Sequence, residues 1–147
     1  MTLRTGHIGL NVTDLQRSLA FYRDVLDFVV VGEGKQEGRR YVFLGDGQRL
    51  VLTLWEQASD AYDPGGAGLH HLAFEADSIE RVREYEQALR SRGVDFAYDG
   101  VVAHREDSAS GGIFFHDPDG TRLEISVPSG AEGAPVPNES APTCGFF

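Results

Sequence analysis

The feature that most constrains the fold of this chain is an internal repeat. Residues 7–26, HIGLNVTDLQRSLAFYRDVL, align without a gap with residues 71–90, HLAFEADSIERVREYEQALR. Each copy starts with a histidine, continues with alternating apolar and polar residues, and ends in an amphipathic segment. Because each copy encodes the same supersecondary element, the repeat predicts two equivalent modules.

Each module is predicted to contain a strand, a helix and three further strands, which is an α+β fold class. The alternation after each histidine has the period of a strand with one buried face. The N-cap and N3 positions of the helices are predicted at Thr13 with Gln16 and at Asp77 with Glu80. Three strand-like runs follow each helix: FVVV, RRYVFL and RLVLTLW in the first half, and VDFAY, GGIFF and RLEISV in the second.

The boundaries of the modules follow from local composition. The run EQASDAYDPGGAG has the turn-forming composition of a linker. The Pro-, Gly- and Ser-rich C-terminal tail is predicted to be loose, although we expect the apolar Phe146 and Phe147 at its end to dock on the protein or on a partner subunit. The predicted organisation is a first module over 1–55, a linker over 56–68, a second module over 69–127 and a tail over 128–147.

Composition excludes several classes of function. The formal net charge of -10 disfavours nucleic acid and anionic membrane surfaces as partners, since phosphates require clustered Lys and Arg. No apolar run reaches the roughly 20 residues that span a bilayer. The single cysteine, Cys144, excludes an intrachain disulfide and fits a reducing compartment. With no export signal at the N-terminus, the sequence predicts a cytoplasmic protein.

Strand parity brings three potential metal ligands to equivalent positions. His7 and His71 fall on the strand faces opposite the apolar ones, and so does Glu124 in RLEISV. Two histidines and one carboxylate on the non-core faces of equivalent strands form a possible facial site that leaves coordination positions open for substrate. We therefore predict that His7, His71 and Glu124 bind one divalent metal ion. His70 is not among the predicted ligands because it has the opposite strand parity, and neither is His116, which adjoins a turn.

The repeat also predicts which ligand is missing and which residues form the pocket. Aligning GDGQRLVL with PDGTRLEI places Val51 at the position equivalent to Glu124, so about three positions of a six-coordinate metal remain open. The same face suggests a partly aromatic substrate pocket. Its predicted residues are Val51, Thr53, Trp55, Phe114 and Arg122, while the parity of Tyr41 and Phe43 stays open.

Three segments together resemble the vicinal oxygen chelate superfamily: GHIGLNVTDLQRSLAFYRDVLDF, HHLAFEADSIERVREYEQALRSRGV and FFHDPDGTRLEI. This superfamily includes glyoxalase I, extradiol dioxygenases, methylmalonyl-CoA epimerase, fosfomycin-resistance proteins and bleomycin-binding proteins. The resemblance covers residues 5–128 and implies two paired βαβββ modules forming a cupped mixed sheet around a metal site. The family's ligand positions fall on His7, His71 and Glu124, with Val51 where several members carry a fourth ligand.

The resemblance implies a leading function. Three ligands with an open fourth position resemble the Fe(II) extradiol dioxygenases and the Mn(II) fosfomycin-resistance thiol transferases. We expect an Fe(II) dioxygenase acting on a small aromatic or other bidentate oxygen substrate, with Mn(II), Zn(II) or Ni(II) as other possible metals. His104 is the expected acid or base beside the metal ligands, and a solvated loop histidine is the other interpretation. Phe114 stands where extradiol enzymes typically carry a tyrosine, which weakens the ring-cleavage assignment.

Three alternatives stay open. A glyoxalase-like lyase or isomerase would require a carboxylate base at Val51, and a fosfomycin-resistance-like thiol transferase with Mn(II) or Zn(II) would require a cluster of cations that the scattered Arg40, Arg105 and Arg122 do not supply. An antibiotic-sequestering protein would use the aromatic pocket for binding alone. Small members of the superfamily commonly dimerise by sharing modules, so a homodimer is expected.

Overall fold

The computed structural model of the chain describes residues 2–147. They divide into two compact units, unit 1 up to Tyr62 and unit 2 from Asp63 to Phe147. Each unit contains one four-stranded mixed sheet and one main helical segment, so the predicted pair of βαβββ modules is confirmed. No helix within residues 2–147 is both long enough and apolar enough to cross a membrane.

In unit 1 the strands are β1 (Ile8–Asn11), β2 (Val29–Gln36), β3 (Arg39–Gly45) and β4 (Leu50–Trp55), in the order β1-β4-β3-β2. Strand β1 runs parallel to β4, and the other pairs are antiparallel. Alternate side chains form the core because successive residues of a strand point to opposite faces. The buried face of this sheet carries Leu10, Val42, Leu44, Leu52 and Leu54.

The helical segment of unit 1 has two parts, and two side chains accept hydrogen bonds from amides in its first turn. Helix α1 (Leu15–Leu19) continues directly as a π-helix over Ala20–Val25. The predicted N-cap at Thr13 is wrong by one residue: Asp14 has the extended backbone of a cap, and its carboxylate accepts a hydrogen bond from the Arg17 amide at 3.1 Å. Glu56, just after β4, accepts a second bond from the Leu15 amide at 2.6 Å. The end of β4 therefore satisfies a free amide at the start of the helix.

In unit 2 the strands are β5 (Leu72–Glu75), β6 (Val102–Ala103), β7 (Gly111–His116) and β8 (Arg122–Val127), in the order β5-β8-β7-β6. Strand β5 is parallel to β8, as β1 is to β4. Helix α2 spans Ile79–Ser91. Its cap is Ser78, whose hydroxyl accepts from the Arg81 amide at 3.2 Å, so the predicted cap at Asp77 is also wrong by one residue.

The strand predicted at VDFAY is wrong as well. Residues 94–98 pair with the sheet through a single isolated bridge, between Phe96 and Phe115 at one end of β7. The regular edge strand is β6, which pairs with Gly111 and Gly112 at the other end of β7. A side chain on Gly111 would collide with the Val102 carbonyl, so this glycine is what lets β6 approach β7.

The C-terminal tail lies along the open edge of this sheet. The Ala103 amide donates to Pro135 O at 2.9 Å, and the Thr143 amide donates to His104 O at 3.1 Å. Ala131, whose amide donates to Ala109 O, is buried, as is Thr143. The polar composition predicted a loose segment, but these bonds satisfy backbone groups that the short β6 leaves unpaired.

Candidate functional site

Glu124 is the central residue of the candidate site. It lies in the middle of β8, where it pairs in register with Ala73 of β5 and Phe114 of β7. Its neighbours Leu123 and Ile125 lie in the core, so Glu124 belongs to the opposite face, as predicted. The Glu124 side chain is nevertheless only 4% exposed. A buried carboxylate is costly without partners, so this residue is not a solvated strand position.

His104 holds one oxygen of this carboxylate. Its Nε2 contacts Glu124 Oε1, and its Nδ1 lies 2.9 Å from Ser110 Oγ. Ser110 Oγ in turn lies 2.9 Å from Ser108 Oγ. A carboxylate only accepts, so Nε2–H donates to Glu124. Ser108, Ser110, His104 and Glu124 thus form one row of hydrogen-bonded side chains.

His71 faces the other oxygen. Its Nε2 lies 3.8 Å from Glu124 Oε2. Burial lowers the pKa of His71, against the opposing influence of the Glu124 charge. The neutral imidazole that this favours is the form that binds metals. His71 Nδ1 also lies 2.8 Å from Nδ1 of His70, so one of these two nitrogens carries a proton. A proton on His71 Nδ1 leaves the Nε2 lone pair directed at Glu124.

The chemistry of these two donors fits a divalent metal ion. Imidazole and carboxylate ligands suit Fe, Mn, Zn and Ni alike. Throughout residues 2–147, no group of three His, Cys, Asp or Glu side chains is placed to hold a metal ion. Unit 2 therefore contributes a pair of facing donors. His7 is exposed in unit 1, immediately before β1, and its role as the third ligand stays a prediction.

Aromatic side chains lie around this pair in unit 2. The Phe114 ring is fully buried, with its centroid 4.9 Å from that of Phe147, 5.5 Å from Tyr98 and 6.2 Å from His104. The Arg122 guanidinium lies 6.0 Å from the Phe147 ring. Of the predicted pocket residues, Phe114 thus contacts the Phe147 ring and Arg122 approaches it.

The other predicted pocket residues lie in unit 1. Thr53 is buried and accepts a hydrogen bond from Trp55 Nε1 at 2.9 Å. The centroid of the Trp55 ring lies 5.2 Å from that of Tyr41 and 5.9 Å from that of Phe43. The face of Tyr41 and Phe43, which the sequence left open, is therefore the face of Trp55. Val51 is partly exposed on β4, one residue before the first pair of β1 with β4.

Two partners of the site were not predicted from the sequence. Tyr98 lies in the run VDFAY, and its hydroxyl bonds to the carbonyl oxygens of Thr143 at 3.2 Å and Phe146 at 3.3 Å. Burial raises the pKa of this phenol. His70 was set aside on parity, yet it contacts His71. Alternation marked Tyr98 as a strand residue, and nothing in the sequence indicated its bonds to the tail.

A family model connects this geometry with known proteins. The model described as the Glyoxalase/Bleomycin resistance protein/Dioxygenase superfamily matches residues 4–125. The chain belongs to this superfamily. The resemblance to vicinal oxygen chelate proteins is thereby confirmed. Members of the superfamily are mostly metal-dependent enzymes that act on small molecules, and the divalent metal differs among them.

Individual members of the superfamily show how far the similarity extends. Biphenyl-2,3-diol 1,2-dioxygenase 2 of Rhodococcus globerulus is 26% identical over 127 residues, which cover 86% of this chain but 63% of that protein. Lactoylglutathione lyase of Salmonella typhimurium is 29% identical over 133 residues, covering 84% of this chain and 91% of the lyase. The crystal structure of a glyoxylase/bleomycin resistance protein/dioxygenase domain from Frankia sp. EAN1pec has a TM-score of 0.73 at 22% identity, covering 86% of this chain and 98% of that domain. This last similarity shows the fold alone.

Proposed function

We propose that this superfamily member is an Fe(II) dioxygenase, similar to the extradiol enzymes, that acts on a small aromatic or other bidentate oxygen substrate. The observation that carries the proposal is the buried Glu124 carboxylate, which has one oxygen held by His104 and the other facing His71. The aromatic rings beside it suit a ring substrate. The similarity to a biphenyl-diol dioxygenase supports the same choice.

In this proposal His7, His71 and Glu124 bind the metal, and Val51 leaves the fourth position open. Bound Fe(II) would supply Lewis acidity and electron transfer to dioxygen, which no side chain of the protein provides. The protein's own residues orient the ligands. Because His104 donates to Oε1, Glu124 keeps Oε2 free and directed at His71. Partners of this kind typically change metal affinity 10- to 100-fold.

Proton transfer is the second proposed role of His104. Phe114 has no hydroxyl, so the position that carries a tyrosine in extradiol enzymes supplies no acid here. His104 lies beside the proposed metal ligand Glu124 and is hydrogen-bonded to Ser110, which in turn contacts Ser108, so His104 is the residue proposed to exchange a proton with a bound substrate. Phe114 and Arg122 in unit 2, and Val51, Thr53 and Trp55 in unit 1, are the proposed pocket residues.

The test is dioxygen uptake. The protein is loaded with Fe(II) without oxygen, mixed with catechol, and then exposed to oxygen. We expect oxygen consumption to match the formation of a ring-cleaved product, and we expect neither in Glu124→Ala. Tight binding of catechol by the Fe(II)-loaded protein without any oxygen consumption would contradict the proposal and favour sequestration.

One observation favours a second candidate, a lactoylglutathione lyase-like enzyme. The aligned segment covers 91% of the Salmonella lyase but only 63% of the Rhodococcus dioxygenase. Val51 argues against it, since this position offers no carboxylate base. We expect no lactoylglutathione turnover with Ni(II), Zn(II) or Mn(II), and turnover with any of these metals would replace the dioxygenase proposal.

The predicted homodimer is part of the proposal, because members of this superfamily often form dimers. Sedimentation at micromolar concentration measures the assembly directly. We expect the mass of two chains, and a purely monomeric boundary would contradict the prediction.

A further inference from the structure

We infer that unit 2 contains a binding subsite for a small aromatic ring, and that Phe147 of the same chain occupies it. The inference rests on the proposed function only in placing the bound ring beside the proposed ligand His71. Five side chains from four segments of unit 2 contact or closely approach the single ring of Phe147. They are Phe114, Tyr98, His71, His116 and Arg122.

The geometry of these contacts is specific for an aromatic ring. Phe147 meets Phe114 at an interplanar angle of 74° and His71 at 67°, which are edge-to-face arrangements. Such arrangements place the positive edge of one ring against the negative face of another. The Arg122 guanidinium lies 6.0 Å from the ring centre, at the outer limit of a cation–π interaction. An electron-rich ring such as a phenol or catechol therefore suits this subsite.

The anchor of the tail is separate from the ring. The Thr143 side chain is fully buried, and its hydroxyl donates to Ala103 O at 2.6 Å. The Thr143 amide donates to His104 O at 3.1 Å. Phe146, by contrast, is 65% exposed. The segment is thus fixed at Thr143, and beyond this residue Tyr98 adds a bond to Phe146 O.

A consequence follows for any external ligand. Two rings cannot fill the same space, so a ligand ring that reaches Phe114 has to displace Phe147. The segment 144–147 then acts as a resident competitor that lowers the apparent affinity of the subsite for every aromatic ligand. Displacement needs no unfolding of unit 2, because the Thr143 anchor lies outside the subsite.

Phenol is the probe that tests this inference, because it presents an aromatic ring without a chelating pair of oxygens. Its dissociation constant is measured by NMR titration for the wild-type chain, for Phe147→Ala and for the matched control Phe146→Ala. We expect Phe147→Ala to bind phenol about tenfold more tightly, the scale of one lost aromatic pair. Phe146→Ala should bind like the wild type, since that ring is exposed.

A second variant keeps every ring in place. Tyr98→Phe removes the hydroxyl bonds to Thr143 O and Phe146 O but retains the aromatic wall. We expect a smaller gain in phenol affinity, together with faster hydrogen exchange at the Phe146 amide. Phenol itself should accelerate that exchange in the wild-type chain, and this readout does not depend on any variant folding.

Three outcomes would overturn the inference: unchanged or weaker phenol binding by Phe147→Ala, no binding of phenol at millimolar concentration by this variant, or slower exchange of the Phe146 amide with phenol. The titration is run on chelator-treated and on Fe(II)-loaded protein. Tighter phenol binding by Phe147→Ala in a protein that takes up no metal would keep the subsite and refute the metal centre. Stoichiometric metal binding together with unchanged phenol affinity in Phe147→Ala would keep the metal centre and refute the subsite.

Discussion

Units 1 and 2 share a scaffold and differ on one face of it. In each sheet the first strand of the unit pairs in parallel with the last strand, and the other neighbouring strands pair antiparallel. Both bury aliphatic residues on the face that forms the core. On the opposite face both units carry aromatic side chains, around Trp55 in unit 1 and around Phe114 in unit 2, but unit 2 adds the buried Glu124 carboxylate where unit 1 has Val51. The repeat therefore preserves the core, and the two non-core faces have diverged in chemistry.

The sharpest contrast is between Val51 and Glu124, which occupy equivalent positions in the repeat. Val51 needs no polar partner. A buried carboxylate does, because its desolvation costs free energy unless hydrogen bonds replace the lost water. Unit 2 supplies that partner with His104, which lies in the loop between β6 and β7. The repeated segment in unit 1 does not contain this loop. The loop and the carboxylate thus form one addition to a common scaffold.

The largest expected effects test whether the two cores are equivalent. Leu52 and Ile125 align in the repeat and are 0% and 3% exposed. Leu52→Ala and Ile125→Ala should each lower the free energy of unfolding by about 2–5 kcal/mol, through lost burial and the cavity left behind. Urea denaturation measures this, with Val51→Ala as a partly exposed control expected to change stability little. A marked difference between the two core variants would break the comparison.

An intermediate effect is expected at His104. His104→Ala removes the donor to Glu124 Oε1 and should weaken metal binding about 10- to 100-fold, the range for residues that orient a metal ligand. His104→Gln keeps a side-chain amide and should recover part of the loss. The control is His116→Ala, because His116 contacts Asp95 and not Glu124. Isothermal titration with Mn(II) provides the affinities, and equal values for the His104→Ala and His116→Ala variants would contradict the positioning role.

The smallest effect concerns the helix caps. The bidentate bond from Arg40 and the bond from the Leu15 amide lower the pKa of Glu56 below its usual value. Glu56 therefore stabilises the fold above the pKa of the unfolded chain, and this contribution is lost as the pH falls through the lower folded pKa. Glu56→Gln should cost about 1 kcal/mol near neutral pH, as loss of a cap does.

The matched variant for this comparison is Ser78→Ala, which removes a hydroxyl cap that does not titrate in the same range. Its cost should be independent of pH, whereas the cost of Glu56→Gln should shrink in acid. Thermal unfolding at a series of pH values distinguishes the two, and a parallel pH dependence would show that Glu56 does not act as a charged cap.

Much of the fold was predictable because the repeat and the strand alternation are local signals. The errors are local too. Thr13 and Asp77 are adequate caps by residue type, but Asp14 and Ser78 have the extended backbone and the bonded oxygen. VDFAY alternates like a strand, yet only Phe96 bridges to β7, and regular pairing begins at β6. Alternation indicates which residues can form a strand, but the pairing depends on tertiary contacts that the local pattern does not encode.

The site was predictable only in part, because its partners are distant in sequence. Parity indicated the face of Glu124, but the bond with His104 spans 20 residues and depends on the loop conformation. The contact between Phe147 and Phe114 depends on the path of the whole tail. The predicted loose tail was wrong because backbone bonds at Ala103 and His104, invisible to composition, hold it in place.

Metal content in variants of the two equivalent positions tests the proposed metal site most directly. The wild-type chain, Glu124→Ala and Val51→Ala are purified under identical conditions, checked for folding by circular dichroism, and analysed by inductively coupled plasma mass spectrometry after equilibration with Fe(II) or Mn(II). We expect one metal ion per chain for the wild type and for Val51→Ala, and none for a folded Glu124→Ala. Stoichiometric metal in Glu124→Ala would contradict the assignment of Glu124 as a ligand.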